Sequence, residues 1–355
     1  MLNTNTVTNK YAKNAIFLEY NSNVIPTNTG QTPLSIGLQN LNSLNYSIVN
    51  QNGIINDSIL NASEDSDNID TCIYHFQNKN LPKEVQPATS PNIALSYIKL
   101  YNYSKCEQSI AHNSSNVFYV ISGSGSTVTE YGELCWNEGD IFILPYCKEN
   151  IIHQSLENNL TSSSNCYLLY ANDGPLLRYL GGSCHTKTFE PTIYTKTAIL
   201  DALQRKAFPK GDNGRDCNDV QPKSNRNGVL LSNPFMINRS FNTLSPTMWS
   251  LYNTIPPNCV QKPHRHNSVA LDYCIFSNSS TDTGLVYTLM GTELNDDGTI
   301  REPHKLEWKK GGVFITPPGW WHSHVNESNS YAYVFPIQDA GLHTYMNTLD
   351  IQFVH

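Results

Sequence analysis

The chain has 355 residues, room for two ordinary domains or one large one, and a net charge of −7. No basic run is long enough to track a phosphate backbone, which argues against a nucleic-acid partner. No apolar stretch reaches the length of a membrane span, and the polar start Met1-Leu2-Asn3-Thr4-Asn5-Thr6 lacks a signal-peptide core, so a cytoplasmic protein without a membrane partner is expected.

Residues 1–85 are rich in Asn, Ser and Thr and weakly periodic. They read as a partly ordered extension, with the acidic patch at residues 63–67 as a solvated loop. From Pro91 onward, short β-branched and aromatic runs alternate with turn residues such as Gly123-Ser124-Gly125. This spacing predicts a β-domain over 86–172, built as a sandwich or barrel. Residues 173–245 read as a linker with one helix, Lys196 to Lys206, whose Ile199, Leu200 and Leu203 supply an apolar stripe. Pro209 and Gly211 end that helix, and a polar loop follows over 211–227. A second β-domain is predicted over 246–355. Its Gly312-Val313-Phe314-Ile315-Thr316-Pro317 echoes Asp140-Ile141-Phe142-Ile143-Leu144-Pro145, and the order of segments repeats, which indicates an internal duplication. Nine scattered cysteines contain no Cys-x-x-Cys pair, pointing to reduced thiols rather than a thiolate metal site.

The chemistry concentrates in two histidine clusters of the second β-domain. One is Pro263-His264-Arg265-His266; the other is Pro317-Pro318-Gly319-Trp320-Trp321-His322-Ser323-His324. Both lie in strand-like runs, where alternate side chains share a face, so His264 pairs with His266 and His322 with His324. Neutral imidazole is the commonest metal ligand among side chains. Three of these rings converging inside a small barrel would bind a metal and leave positions open for a substrate or O2. Asp272 has the strand parity of His266 and should also face the interior. It could bind substrate, act as a base or hold a ligand histidine, with Arg226 and Arg239 upstream as candidate charge partners. Trp249, Trp320 and Trp321 are apolar bulk of which at least one should line a pocket, and Tyr287 on a neighbouring strand is a further candidate. His304 and His343 carry no motif and read as surface or packing residues.

These motifs resemble the cupin superfamily, and within it bicupins of the gentisate 1,2-dioxygenase type, over residues 90–350. The resemblance rests most on residues 245–271 and on the Gly-Gly-Val-Phe-Ile-Thr-Pro-Pro-Gly-Trp-Trp-His-Ser-His block. It implies an all-β chain of two tandem jelly-roll barrels. It also implies a non-haem Fe(II) held by His264, His266 and His322, with His324 beside the substrate as a catalytic group. Trp249 matches a pocket tryptophan, and Trp249, Asn253, Tyr287 and Trp320 are the expected substrate contacts. Mn, Ni, Cu or Zn would suit the same ligand set.

The chain departs from the family pattern. An arginine that meets the substrate carboxylate in the family is replaced by Asp272, and a glutamine by Asn253. The complete histidine set lies in the second cupin. In the first, His112 and His153 fall near the metal positions but Ile110 stands where a partner belongs, so that cupin is expected to be degenerate. The expected activity is an Fe(II)-dependent dioxygenase reaction on a small, ring-bearing molecule, in a chain that forms homo-oligomers. The alternatives are an O2-independent isomerase or lyase using Asp272 and His324 as an acid–base pair, and a non-catalytic small-molecule binder.

Overall fold

The computed structural model describes residues 10–19, 46–50, 72–101, 104–156, 165–207, 227–276 and 284–354. The acidic patch at 63–67, Arg226 and the helix-ending Pro209 and Gly211 lie outside the described residues. The chain divides into two compact units, Met1–Ala15 with Leu44–Lys196, and Ile16–Ser43 with Thr197–His355. Segments on either side of the expected β-domains are thus part of the sheets. Cys72–Asn78 joins the first unit's larger sheet, and Ile16–Glu19 and Asn227–Ser232 join the second's.

Each unit pairs a larger antiparallel sheet with a smaller one. In the first unit, the larger sheet runs in the order Thr192–Tyr194, Ile141–Pro145, Ser115–Ser122, Cys166–Asn172, Ala94–Leu100, Cys72–Asn78 and Tyr46–Asn50. Opposite it stand Lys105–Gln108, Ile151–Ser155, Ser124–Thr129 and Gly132–Asn137. The smaller sheet has period-two burial: Cys106 and Gln108 point in while Lys105 and Glu107 point out. Ile141–Pro145 is buried throughout, as its unbroken apolar run requires. At Gly123 the chain turns with φ +85°, and a Cβ there would sit 2.4 Å from Cys166 Sγ, so the turn between the two flanking strands needs glycine. Among the described residues an apolar cluster lies between the sheets, with Phe118 stacked on both Phe142 and Tyr170 at centroid distances of 4.6 and 4.7 Å.

In the second unit the larger sheet runs Ile16–Glu19, Asn227–Ser232, Trp249–Ile255, Ala332–Gln338, Ala270–Phe276 and Val313–Thr316. The smaller one runs His304–Glu307, Val286–Gly291, Trp321–Asn326, His264–His266 and Ile351–Phe353, with Cys259–Val260 also paired to Trp321–Asn326. Its interior is not one apolar cluster. Trp249, Leu251, Leu349 and Ile351 pack at one end, and Ile255, Cys274, Val286 and Trp308 at the other.

The helix spans Lys196–Ala207. Ile199, Ala202 and Leu203 are buried, but Leu200 is 39% exposed. Residues three and four apart share a helix face and Leu200 sits one step round from Ile199, so alanine completes the stripe expected of leucine. Among the described residues no helix is long and apolar enough to cross a membrane.

Candidate metal centre and its cavity

His264 and His266 are the two inward residues of a three-residue strand; Arg265 between them points out, its guanidinium 4.6 Å from the Trp321 ring centre and bonded to Gln352 Oε1. His264 lies directly across from His322 in the antiparallel pair of strands. Alternation along Trp321–Asn326 then turns His324 inward as well. The result is a group in which one nitrogen from each of His264, His266 and His322 lies within 4.8 Å of the others, all three residues buried. Their ring centres are 3.9 Å apart for His264 and His322, 4.9 Å for His266 and His322, and 5.9 Å for His264 and His266.

The residues behind the rings set which nitrogen faces inward. His266 Nδ1–H donates to the Ser268 carbonyl at 2.8 Å, and His322 Nδ1–H to the Trp320 carbonyl at 3.1 Å. A carbonyl accepts only, so each ring carries its proton on Nδ1 and presents a bare Nε2 lone pair. His266 Nε2 is buried and has no hydrogen-bond partner, an arrangement costly for a protein that binds nothing there and apt for one that binds a cation. Burial, reinforced by His343 and partly offset by the Ser268 carbonyl, pulls the His266 pKa down to about 4, so the ring is neutral and ligating at physiological pH. The donor set therefore fits a divalent transition metal.

A cavity opens over this group. Its polar lining includes Asn253, Gln261, Asp272, His324 and Gln338, and its apolar lining Trp249, Leu251, Pro336 and Ile351. Asp272 pairs in register with Phe314 and Pro336 and accepts a hydrogen bond from Thr316 Oγ1 at 2.7 Å. Burial drives its pKa up to about 7, with the Thr316 bond pulling the other way. His324 Nδ1 lies 2.8 Å from Thr288 Oγ1, which also accepts from Trp308 Nε1–H at 2.8 Å. With Trp308 donating in, the Thr288 hydroxyl proton is available to point at His324 Nδ1, which leaves the His324 proton on Nε2, toward the cavity.

Trp249, Asn253, Asp272 and His324 thus lie around the three histidines. Two expected substrate contacts do not. Tyr287 sits on the outer face of its strand, under Lys305 Nζ and bonded to Glu327; its neighbour Thr288, paired with His324, takes the inward position. Trp320 precedes the strand, after a turn in which Gly319 has φ +77°, so strand parity does not carry its ring inward. That ring stacks on His304 instead. In the first unit, His153 is not a counterpart of a ligand position: it is bonded to Thr127, itself a partner of Trp136, as His324 is to Thr288 and Trp308. His112 does not extend any cluster: among the described residues His264, His266 and His322 form the one group arranged to hold a metal. Arg239 is an exposed residue over the Phe235 ring and does not line the cavity.

Two polar lining residues, Gln261 and Gln338, escaped sequence reasoning, as did Thr316, which does not line the cavity but holds Asp272. Gln261 flanks the His264 strand, and its backbone N–H bonds to the His324 carbonyl, a signal visible only once the strands are paired.

Two antiparallel β-barrel units follow one another along the chain, and the second holds the buried three-histidine group. In fold the chain is similar to salicylate 1,2-dioxygenase from Pseudaminobacter salicylatoxidans, with a TM-score of 0.57 and 14% identity over 79% of this chain and 79% of that one. A structure of the same enzyme with gentisate adducts gives a TM-score of 0.59 and 13% identity over 79% of this chain and 76% of that one. In sequence, 77 residues are 35% identical to a 5-aminosalicylate 1,2-dioxygenase from a Comamonas species, a stretch covering 21% of this chain and 19% of that relative. The chain is therefore matched over about a fifth of that relative's length. No protein-family profile matches the chain.

Proposed function

We propose that this chain is a non-haem Fe(II)-dependent dioxygenase acting on a small aromatic molecule, with its chemistry in the second barrel (residues 246–355) and a structural first barrel (residues 86–172). The observation that carries the reading is that one nitrogen from each of His264, His266 and His322 lies within 4.8 Å of the others, with His266 Nε2 buried and unpartnered. The fold shared with a salicylate 1,2-dioxygenase and the sequence stretch shared with a 5-aminosalicylate 1,2-dioxygenase support ring cleavage as the reaction class.

In this reading His264, His266 and His322 hold the metal. Iron held there would supply Lewis acidity toward the substrate and the capacity to activate O2. The Ser268 and Trp320 carbonyls keep the ligand rings from rotating and raise their basicity. His324, its Nδ1 satisfied by Thr288, turns an N–H toward the bound ring and holds or supplies a proton there. Trp249, Leu251 and Ile351 exclude water and orient the ring, and Asn253 bonds its substituents.

One observation favours a second reading. Asp272, with a pKa near 7, and His324 face the same cavity, as an acid–base pair for an O2-independent isomerase or lyase would. O2 uptake separates the two. Protein purified without oxygen and loaded with Fe(II) is expected to consume O2 stoichiometrically with an aromatic substrate. Turnover that continues unchanged without O2, or with Zn in place of Fe, would rule out the dioxygenase reading.

A further inference from the structure

Among the described residues, the cavity over the three histidines is lined by a single side chain of carboxylate or cationic type, the carboxylate of Asp272. Asp272 is the one acidic residue, and among the described residues no lysine or arginine lines the space. The nearby cations are committed elsewhere. Arg265 stacks on Trp321 on the outside of its strand, and Lys305 lies over Tyr287. Salicylate and gentisate, the compounds named with the structurally similar enzyme, are ring carboxylates. A ring carboxylate bound here would place an anion in a low-dielectric site beside a second anion, with no side-chain cation to offset either.

The hydrogen-bonding groups of the cavity point the same way. Asn253 Oδ1 is a buried acceptor without a partner, and both Gln261 Oε1 and Nε2 are buried and unpartnered. Gln261 is 1% exposed and Asn253 6%. Orphaned polar atoms of this kind cost stability unless a ligand satisfies them. With Asp272 they amount to three acceptors against two donors, the Gln261 amide and the His324 Nε2–H, which leaves room for a ligand that brings N–H and O–H groups.

We propose that the site takes a carboxylate-free phenol with an amino or hydroxyl group on the adjacent carbon, and that Asp272 selects it over a ring acid. The ring's two neighbouring donor groups reach the metal position, and a remaining N–H or O–H is accepted by Asp272, Asn253 or Gln261. This rests on the metal-site reading above, because the ring is held against the three histidines.

The test uses the full chain loaded with Fe(II) in the absence of oxygen, its metal content measured first. Calorimetric titration at pH 8, above the Asp272 pKa, compares 2-aminophenol, catechol and salicylate. We expect 2-aminophenol and catechol to bind at least about 10-fold more tightly than salicylate. Asp272→Asn, close in shape, should erase most of that gap, and Asp272→Arg should reverse it. Gln261→Leu should weaken 2-aminophenol without improving salicylate, and it serves as the second variant if an Asp272 change fails to fold. Salicylate binding as tightly as 2-aminophenol in the unaltered protein, a gap unmoved by Asp272→Asn, or a metal-loaded protein that binds none of the three probes overturns the proposal while leaving the metal centre standing. A chain that takes up no metal overturns both.

Discussion

In the second barrel His264 faces His322 across a strand pair; in the first, the same pairing sets Gln108 opposite Ile151. Asp272 lies between Phe314 and Pro336, and its first-barrel equivalent by pairing is Phe118, between Phe142 and Tyr170. The position of His266 falls to Ile110, two residues on from Gln108, and that of Asn253 to Ile98. Ile98, Ile110, Phe118 and Ile151 all belong to one apolar cluster, whereas in the second barrel two clusters flank the polar cavity. What survives in both is a tryptophan–threonine–histidine relay, Trp136–Thr127–His153 and Trp308–Thr288–His324. In the first barrel the relay closes on itself, because His153 Nε2 is bonded to Gln108 at 3.0 Å. Gln108 occupies the position that His264 has in the second barrel, and here its side chain satisfies the histidine. The same frame can thus be spent on packing or on chemistry, and the choice is made by four or five inward positions.

Exchanging those positions breaks the comparison most forcefully. His322→Ile installs the residue that the first barrel carries at Ile151. It should lower metal affinity by more than about 100-fold, beyond the range for outer-shell partners, and abolish O2 uptake. Retention of stoichiometric metal, measured by elemental analysis, would show that the triad is not the centre.

Asp272→Asn tests the cost of the cavity. The folded Asp272 holds its proton to about pH 7, whereas the unfolded side chain releases it near its ordinary value of 3.8. The folded chain therefore binds more protons between those pH values, and stability falls as pH rises through the window. Removing the charge should raise the stability of metal-free protein at pH 8 by up to about 4 kcal/mol and have little effect near pH 4. Thermal midpoints of the two proteins across pH report the difference directly.

The relay offers a matched pair. Thr288→Val should lower kcat about 10-fold or more by releasing His324 from its tautomer, whereas Thr127→Val should cost about 1–3 kcal/mol of stability by stranding Trp136 Nε1–H and leave kcat unchanged. Equal effects on turnover would erase the distinction between the barrels.

His153 has no effect at neutral pH and shows itself only in acid. Burial lowers its pKa to about 3 from an ordinary 6.5. Its unfolded form takes up the proton first, so stability is lost as pH falls from about 6.5 toward 3. His153→Gln should flatten that acid slope in denaturant titrations while sparing metal content.

Much of this was readable in the residue order. Period-two alternation puts His264 with His266 and His322 with His324 on shared faces. The echo of residues 140–145 in 312–317 revealed the duplication. Asp272 is expected inward by parity with His266 and does line the cavity, but it does so from Ala270–Phe276 in the larger sheet while His266 lies in the smaller one, so the count across the intervening turn is not what carries it there. The failures share one cause. Tyr287 and Thr288 are equally plausible inward residues until pairing with His324 decides for Thr288. His153 falls near the metal positions in the residue order, although it lies further from Pro145 than His322 does from Pro317; strand pairing aligns it with His324. Gln261 and Gln338 have no local signature, since they reach the cavity from different parts of the chain, and Thr316 acts only through its bond to Asp272.

The residue order alone determined that this chain is two β-barrels with a histidine-rich second half, because strand periodicity and turn chemistry act over a few neighbouring residues. Which side chains meet, and that the first barrel closes over its core where the second opens a cavity, was decided by tertiary structure. Register between strands distant in sequence is set by how whole faces pack, and no single strand contains that information.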